Sequence, residues 1–456
     1  MTLRDFEAGV TPDNKEKKLV RLIILSAVAS AILLAVILYT MPMTNLSGSN
    51  LVVIASTVSL VIFLFVLIIR YFSILAMAYV YLTKYTIKIG SDYQPFVSII
   101  VPVYNEGKVL KDSIESLAQL NYPNYEIIIV NDGSTDNTLE VARTLVGYSK
   151  GVYGDVKISM INKPNGGKSR ALNAGIQFSK ADFFVCVDGD SQLSRDTLKE
   201  GMRHFSDPGV GAVAGNVKVE NRKKLLTDLQ ALEYLEGLNM ARSAQSLVRM
   251  VNIIPGPIGI FRRKAIEDAG LYSSDTFAED ADLTLKVLAA GWKIQYEPNA
   301  ISYTEAPQTL NQLLKQRYRW TRGILQAIRK HRKHLVNPTL NFGNSLILWS
   351  MYYESIIWPV MNIFSNLFFI IIALGFGLSN LLSLWWMIMA LLDLMSALYC
   401  VAVEKEDVRL IPYAILYRLG FILIVDITKA MASIEEFLGI QMDWGKLERI
   451  GLSKSA

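Results

Sequence analysis

From Leu22 to Ile69 the chain carries no charged residue, and from Ser355 to Leu392 it again carries none. Surface helices of soluble proteins pair an apolar stripe with a charged face, so runs of this length point to a bilayer as solvent. Pro42 and the polar stretch TNLSGSN divide the first run in two, giving a helical hairpin of about 20–41 and 51–69. In the second run GLSN reads as an external turn between spans at about 356–376 and 381–403. A third apolar stretch, 410–425, carries Arg418.

Lys15, Lys17, Lys18 and Arg21 precede the hairpin and Arg70 and Lys84 follow it, with no charge in the turn between them. The positive-inside rule then places both ends, and the residues from about 71 to 334, in the cytoplasm. Lys446, Arg449 and Lys454 hold the C-terminal tail on the same side, whereas a full crossing by 410–425 would put it outside. A re-entrant or interfacial last helix reconciles the two. Glu354, Asp393 and Arg418 lie in or beside the apolar segments, where charges either face an aqueous path or pair with one another.

The expected plan is a cytoplasmic segment (1–19), the hairpin (20–70), a linker (71–94), a catalytic domain (95–308), an amphipathic interfacial region (309–343), a bundle of two to three spans (344–430) and a tail (431–456). A net charge of +5 suits a basic face on anionic lipid and does not indicate a nucleic-acid binder. Two cysteines, Cys186 and Cys400, and three histidines without an HExxH pattern leave no framework for thiol or zinc chemistry. Catalysis falls to carboxylates, hydroxyls and a bound ion.

Between the apolar runs, FVSIIVPVYNE, YEIIIVNDGSTD and ADFFVCVDGD are buried-strand patterns, separated by helical ones. The fold this predicts is α/β, a mainly parallel doubly wound sheet, with ligands beyond the carboxyl ends of its strands. Each run ends in Asn, Asp or Glu. Asp188 and Asp190 of DGD, on one side of a strand end, can hold a hard divalent cation, although such Asx turns are also common without one. Asp132 of NDGSTD can accept from a base or ribose, or belong to a helix cap. In NKPNGGKSRALNAG, glycines precede Lys168 and Arg170 in a way that suits phosphate, without Walker spacing. Glu279 and Asp280 open an amphipathic helix, where acidic residues also satisfy the helix dipole. With no suitable histidine, Asp280 is the candidate general base. In QRYRW, Gln316, Arg319 and Trp320 share a helix face, as either an interfacial anchor or a ligand-binding turn.

In order, PVYNE, NDGSTD, GGKSRALNAG, DGD, GPIGIFRR, AEDADLTLK and QRYRW resemble the membrane-bound, processive family 2 glycosyltransferases, over about 95–334. That group includes cellulose, chitin, hyaluronan and poly-N-acetylglucosamine synthases. The resemblance implies a GT-A-type domain using a UDP-sugar with Mg²⁺ or Mn²⁺, and a growing polysaccharide as acceptor. It assigns Asp132 to uridine, Lys168 to the nucleotide, and Asp188 and Asp190 to metal and diphosphate. Asp280 becomes the base, with Glu279 before it; Gln316 and Arg319 meet the donor, and Trp320 stacks under the acceptor sugar. Phe261 and Arg262 fall in the acceptor-side segment.

Asn131 and Ala278 depart from the commoner DDGS and TED forms. With QRYRWTRGILQ they look most similar to the poly-N-acetylglucosamine synthase branch, whereas GPIG is similar to hyaluronan synthases. The expected function is polymerisation of a UDP-sugar, best UDP-N-acetylglucosamine, at the plasma membrane, with export through the helices. Other readings are a synthase using another UDP-sugar, a polyprenyl-phosphate sugar synthase, and a non-catalytic scaffold. Whether a small membrane or export partner subunit is needed stays open.

Overall fold

The structure, a computed structural model, describes residues 51–84, 93–337, 342–376 and 379–440. The first expected span, 20–41, lies outside the described residues. Nine strands form one sheet: β1 (Val97–Val103), β2 (Tyr125–Asp132), β3 (Gly147–Lys150), β4 (Asp155–Lys163), β5 (Phe183–Cys186), β6 (Gln192–Leu193), β7 (Val210–Val219), β8 (Gly259–Arg262) and β9 (Lys293–Thr304). Seven helices carry the argument below: α1 (Leu51–Lys84), α2 (Lys168–Phe178), α3 (Glu279–Ala289), α4 (Leu310–Lys330), α5 (Trp358–Phe376), α6 (Ser379–Glu404) and α7 (Ile422–Phe437).

The strand order is β3-β4-β2-β1-β5-β8-β7-β9-β6. Strands β4, β2, β1 and β5 run parallel, and β7 pairs parallel with β9. Strand β8 is antiparallel to both β5 and β7, so it joins two halves that point the same way. The sheet is thus mixed with a parallel majority. Every residue of β1 is buried, which explains why its sequence is apolar apart from Ser98, whose hydroxyl donates to Glu126. Ile99 and Val101 pack on one face with Ile114 and Leu117, while Ile100 packs on the other with Leu172 and Ile176. Helix α2 comes so close that a Cβ at Gly175 would lie 2.4 Å from Ile100 Cγ2.

Among the described residues, four segments are long and apolar enough to cross a membrane: Ile62–Leu82, Phe342–Gly375, Leu382–Glu404 and Val408–Phe437. Their bounds correct two expectations. Arg70 does not end the second span, because α1 continues to Lys84 through the region expected as linker. Its guanidinium pairs instead with Glu354, which sits in the π-helical turn Tyr353–Ile357. Likewise, the stretch bearing Arg418 continues to Phe437, and Arg418 donates to both carboxylate oxygens of Asp393, at 2.5 and 2.8 Å. Arg70, Glu354, Asp393 and Arg418 therefore pair with one another, which removes the charge cost that had shortened the expected helices.

The apolar helices are fastened to the sheet domain. Asn216 Nδ2 donates to Glu404 Oε2 at 3.1 Å, and Lys218 pairs with Glu406 at 2.6 Å. Asp407, just before the last apolar segment, lies 3.6 Å from Arg222, and Glu436 near its end lies 2.8 Å from Arg322. Asp407 and Glu436, near its two ends, thus both meet residues of the sheet domain and α4.

The Arg418–Asp393 pair gives a stability test. Arg418→Ala leaves Asp393 buried without its cation and is expected to cost roughly 3–5 kcal/mol, whereas Arg418→Leu combined with Asp393→Leu recovers most of that loss. Thermal unfolding of the detergent-solubilised chain measures both; equal destabilisation by the single and double variants would contradict the pairing.

Candidate active site

The carboxyl ends of β1, β2, β4 and β5 lie side by side, and the candidate motifs follow them. At the end of β2, Asp132 accepts from the backbone N–H groups of Gly166 (3.0 Å) and Gly167 (2.7 Å), and Lys163 pairs with it. Gly167 has φ +87°, a conformation L side chains rarely adopt, and it caps α2 immediately before Lys168. The carboxylate expected to meet uridine is therefore also the anchor of the glycine loop. Asn131 ties this strand end to β4 through Asn162, at 2.7 Å.

After β5 the chain turns sharply, with Ser191 N–H donating to Asp188 O at 2.9 Å. The DGD residues thus sit in a turn beyond the strand rather than on the strand itself. Gly189 packs closely under the loop after β1, since a Cβ there would lie 2.0 Å from Glu106 Oε2 and 2.8 Å from Val103 Cγ1. Glu106, the last residue of PVYNE, places a carboxylate over this turn that sequence reasoning did not single out. The available signal was that β1 and β5 would be neighbours, both ending in acidic loops.

Lys168 Nζ lies 2.6 Å from Asp188 Oδ1 and 3.0 Å from Glu279 Oε1. Burial disfavours its ammonium, but Asp188 and Glu279 outweigh burial and hold its pKa well above the usual lysine value. This cation joins the strand-end turn to the start of α3. Burial first, and then the Glu279 charge, push the Asp280 carboxyl up to about 6; Lys168 opposes the shift. Lys168, Asp188, Gly256, Phe261, Tyr272, Glu279 and Asp280 line one narrow recess. Gly256 keeps it open, since a Cβ there would lie 2.9 Å from Lys168 Nζ. Cys186 also lines the recess, and burial pushes its thiol up to about 12, which leaves it inert.

Arg262 is not part of this wall. Phe261 faces the recess, so its strand neighbour projects to the opposite side of β8. There the Arg262 guanidinium donates to the carbonyls of Val210 (3.0 Å), Phe205 (3.0 Å) and Asp207 (3.3 Å), over the rings of Phe183 and Phe205. The guanidinium thus closes a loop on the face of β8 away from the recess.

Gln316, Arg319 and Trp320 lie on α4, outside the recess. Gly323, one turn beyond Trp320, packs against Phe277 and Ala278, the residues that lead into Glu279 and Asp280. Gln316 is buried, while Arg319 and Trp320 are half-buried. Arg317, only 1% exposed, forks onto Glu233 at 3.1 and 2.5 Å. Its guanidinium lies 4.4 Å from the Trp320 ring centroid and so takes up one indole face. Tyr234 packs nearby at 6.3 Å. Tyr318 pairs with Glu435 of α7.

Asp188 and Asp190 are hard oxygen donors suited to Mg²⁺ or Mn²⁺. Among the described residues no group of three metal-ligating side chains forms, so a cation here would complete its shell with substrate phosphates and water. The donor set fits that mode of binding. Lys168 meanwhile supplies positive charge beside Asp188.

Residues 98–270 match the family Glycosyl transferase family 2. The chain is 33% identical over 230 residues to the poly-β-1,6-N-acetyl-D-glucosamine synthase of Staphylococcus aureus (strain COL), covering 50% of this chain and 54% of that protein. The corresponding enzyme of Staphylococcus epidermidis is 32% identical over 228 residues, with the same 50% and 54% coverage. The chain thus spans about half the length of the curated relatives it matches. Among solved structures, a mannosyltransferase from Pyrobaculum calidifontis, determined with GDP-Man and Mn²⁺, superposes with a TM-score of 0.61 at 19% identity, covering 85% of this chain and 99% of that one. That likeness concerns the fold. Residues 98–270 thus match Glycosyl transferase family 2 on a GT-A-type fold beside apolar helices, and half of the chain is similar to poly-N-acetylglucosamine synthases.

Proposed function

We propose that the protein is a processive, inverting transferase that extends a β-linked polysaccharide from UDP-N-acetylglucosamine. Its catalytic domain would face the cytoplasm, and the product would pass through the apolar helices of the plasma membrane. The observation that carries this reading is the juxtaposition of a buried, pKa-raised Asp280 with the Lys168–Asp188 pair in one recess. One side of that recess suits a diphosphate and the other a hydroxyl about to lose its proton. The order of motifs from NDGSTD to QRYRW and the similarity to poly-N-acetylglucosamine synthases support the choice of donor.

In this mechanism the Asp280 carboxylate accepts the proton of the acceptor hydroxyl. The oxygen attacks the anomeric carbon, forming the new glycosidic bond as the bond from that carbon to the diphosphate oxygen breaks. The configuration inverts, and UDP leaves with both electrons of the broken bond. Asp188 and Asp190 would hold the divalent cation, which supplies charge neutralisation for the departing diphosphate. Lys168 and Arg319 add fixed positive charge on that side. Glu279 fixes Lys168 while it keeps Asp280 basic. Trp320, with one face covered by Arg317, offers its remaining surface to the acceptor sugar.

Asp280 must be ionised to act, so transfer is expected to rise with pH through about 6 and to fall below it. Asp280→Asn should abolish transfer at every pH while UDP binding persists; unchanged turnover would remove Asp280 as the base. Folding carries the opposite sign. A carboxyl with a raised native pKa binds protons more readily when folded, so its contribution to stability falls as pH rises through that window. The Asn variant is therefore expected to melt higher than the parent at pH 8, with the gain shrinking toward pH 4. Chelation by EDTA, or Asp190→Ala, should each lower turnover at least ~100-fold, as for the loss of a major electrostatic contact. Activity that survives both would exclude the metal assignment.

A further inference from the structure

Helix α4 touches the turn that precedes Asp280 at two positions. At Gly323, a Cβ would lie 2.6 Å from the Ala278 nitrogen and 2.8 Å from the Phe277 carbonyl carbon, so the two backbones are in near-direct contact. One turn later, Gln326 Oε1 accepts from Phe277 N–H at 3.1 Å, and Gln326 Nε2 donates to Glu436 Oε2 at 3.1 Å. A backbone N–H can only donate and a carboxylate can only accept, so only one orientation of the amide satisfies both. Glu436 belongs to α7 and also receives Arg322 Nε at 2.8 Å. On the other side of Asp280, the fully buried Asp282 carboxylate contacts His331 Nε2 and Lys330 Nζ, each at 2.9 Å. The start of α3 is thus clamped to α4 on both sides of Asp280, and Gln326 carries the connection on to the last apolar helix.

We propose that Gln326 is a positioning residue for glycosyl transfer, linking α7 through Glu436 to the turn that aims Asp280. The inference rests on the role given to Asp280 under the proposed function. Gln326 acts through Phe277, three residues before the carboxylate, and contacts none of the groups that line the recess. A small shift of a reacting group costs far more in rate than in binding, so the signature is a fall in kcat at constant donor KM.

The test uses the full chain in membranes, assayed for sugar incorporation from UDP-N-acetylglucosamine, with Gln326→Leu, Gln326→Glu and Gln326→Glu combined with Glu436→Gln. Gln326→Leu is expected to lower kcat about tenfold or more while donor KM stays within about twofold. Gln326→Glu sets a second carboxylate against Glu436 and should be as impaired. The double variant restores a donor–acceptor pair between the same two positions and should recover most of the rate. Wild-type turnover by Gln326→Leu, or no recovery in the double variant, would overturn the inference. Matched losses of kcat, donor KM and thermal stability in Gln326→Leu would also overturn it, since plain structural support moves all three. An inactive parent chain would sink the proposed function itself, a result distinct from the failure of Gln326 alone.

Discussion

An ammonium held between two carboxylates ties the site together. Lys168 starts α2, Asp188 follows β5 and Glu279 opens α3, so one cation gathers three elements from distant parts of the chain. Without that charge, Asp188, Glu279 and Asp280 would face one another across a closed recess, and their repulsion would spread it. Its placement depends in turn on Asp132, whose carboxylate fixes Gly166 and Gly167 just before α2 begins. The turn beyond β5 and the start of α3 are therefore joined electrostatically through the first residue of α2. The field has opposite effects on the two groups it serves, because it strengthens Lys168 as a cation while Asp280 stays basic enough to take a proton near pH 6.

The same economy governs the junction with the apolar helices. The charges that interrupt them pair with opposite charges on other helices, Arg70 with Glu354 and Arg418 with Asp393. The pairs fix how the helices face one another, although they add less to net stability than their geometry implies. At the catalytic side, Glu404, Glu406, Asp407 and Glu436 meet Asn216, Lys218, Arg222 and Arg322. The helix bearing QRYRW thus packs between the base-bearing turn and α7. Through Tyr318 and Arg322, that helix is held against the last one, while Trp320 packs against Arg317 and Tyr234.

Local sequence carried the strands and the loops beyond them. The β-branched runs before PVYNE, NDGSTD and DGD are buried strands because both faces of the sheet are covered, and that pattern needs no knowledge of partners. What stayed hidden depends on contacts between distant residues. Arg70 looked like the end of a span, since Glu354 lies in a helix that only folding brings alongside. Arg262 sits in a segment rich in site residues, yet strand alternation turns it away from Phe261 and into a loop of carbonyls. Glu106 went unnoticed because its role depends on the contact between its loop and Gly189. Arg317 is buried against Glu233, and its cover over one face of Trp320 appears only with the helix in place.

The central claim is that these residues polymerise a nucleotide-activated sugar. Membranes containing the full chain can be supplied with each radiolabelled UDP-sugar separately, and the product separated by mass. A β-linked polymer formed from UDP-N-acetylglucosamine, absent with Asp280→Asn, is the predicted result. A single sugar on a lipid carrier, or no incorporation from any UDP-sugar, would contradict it.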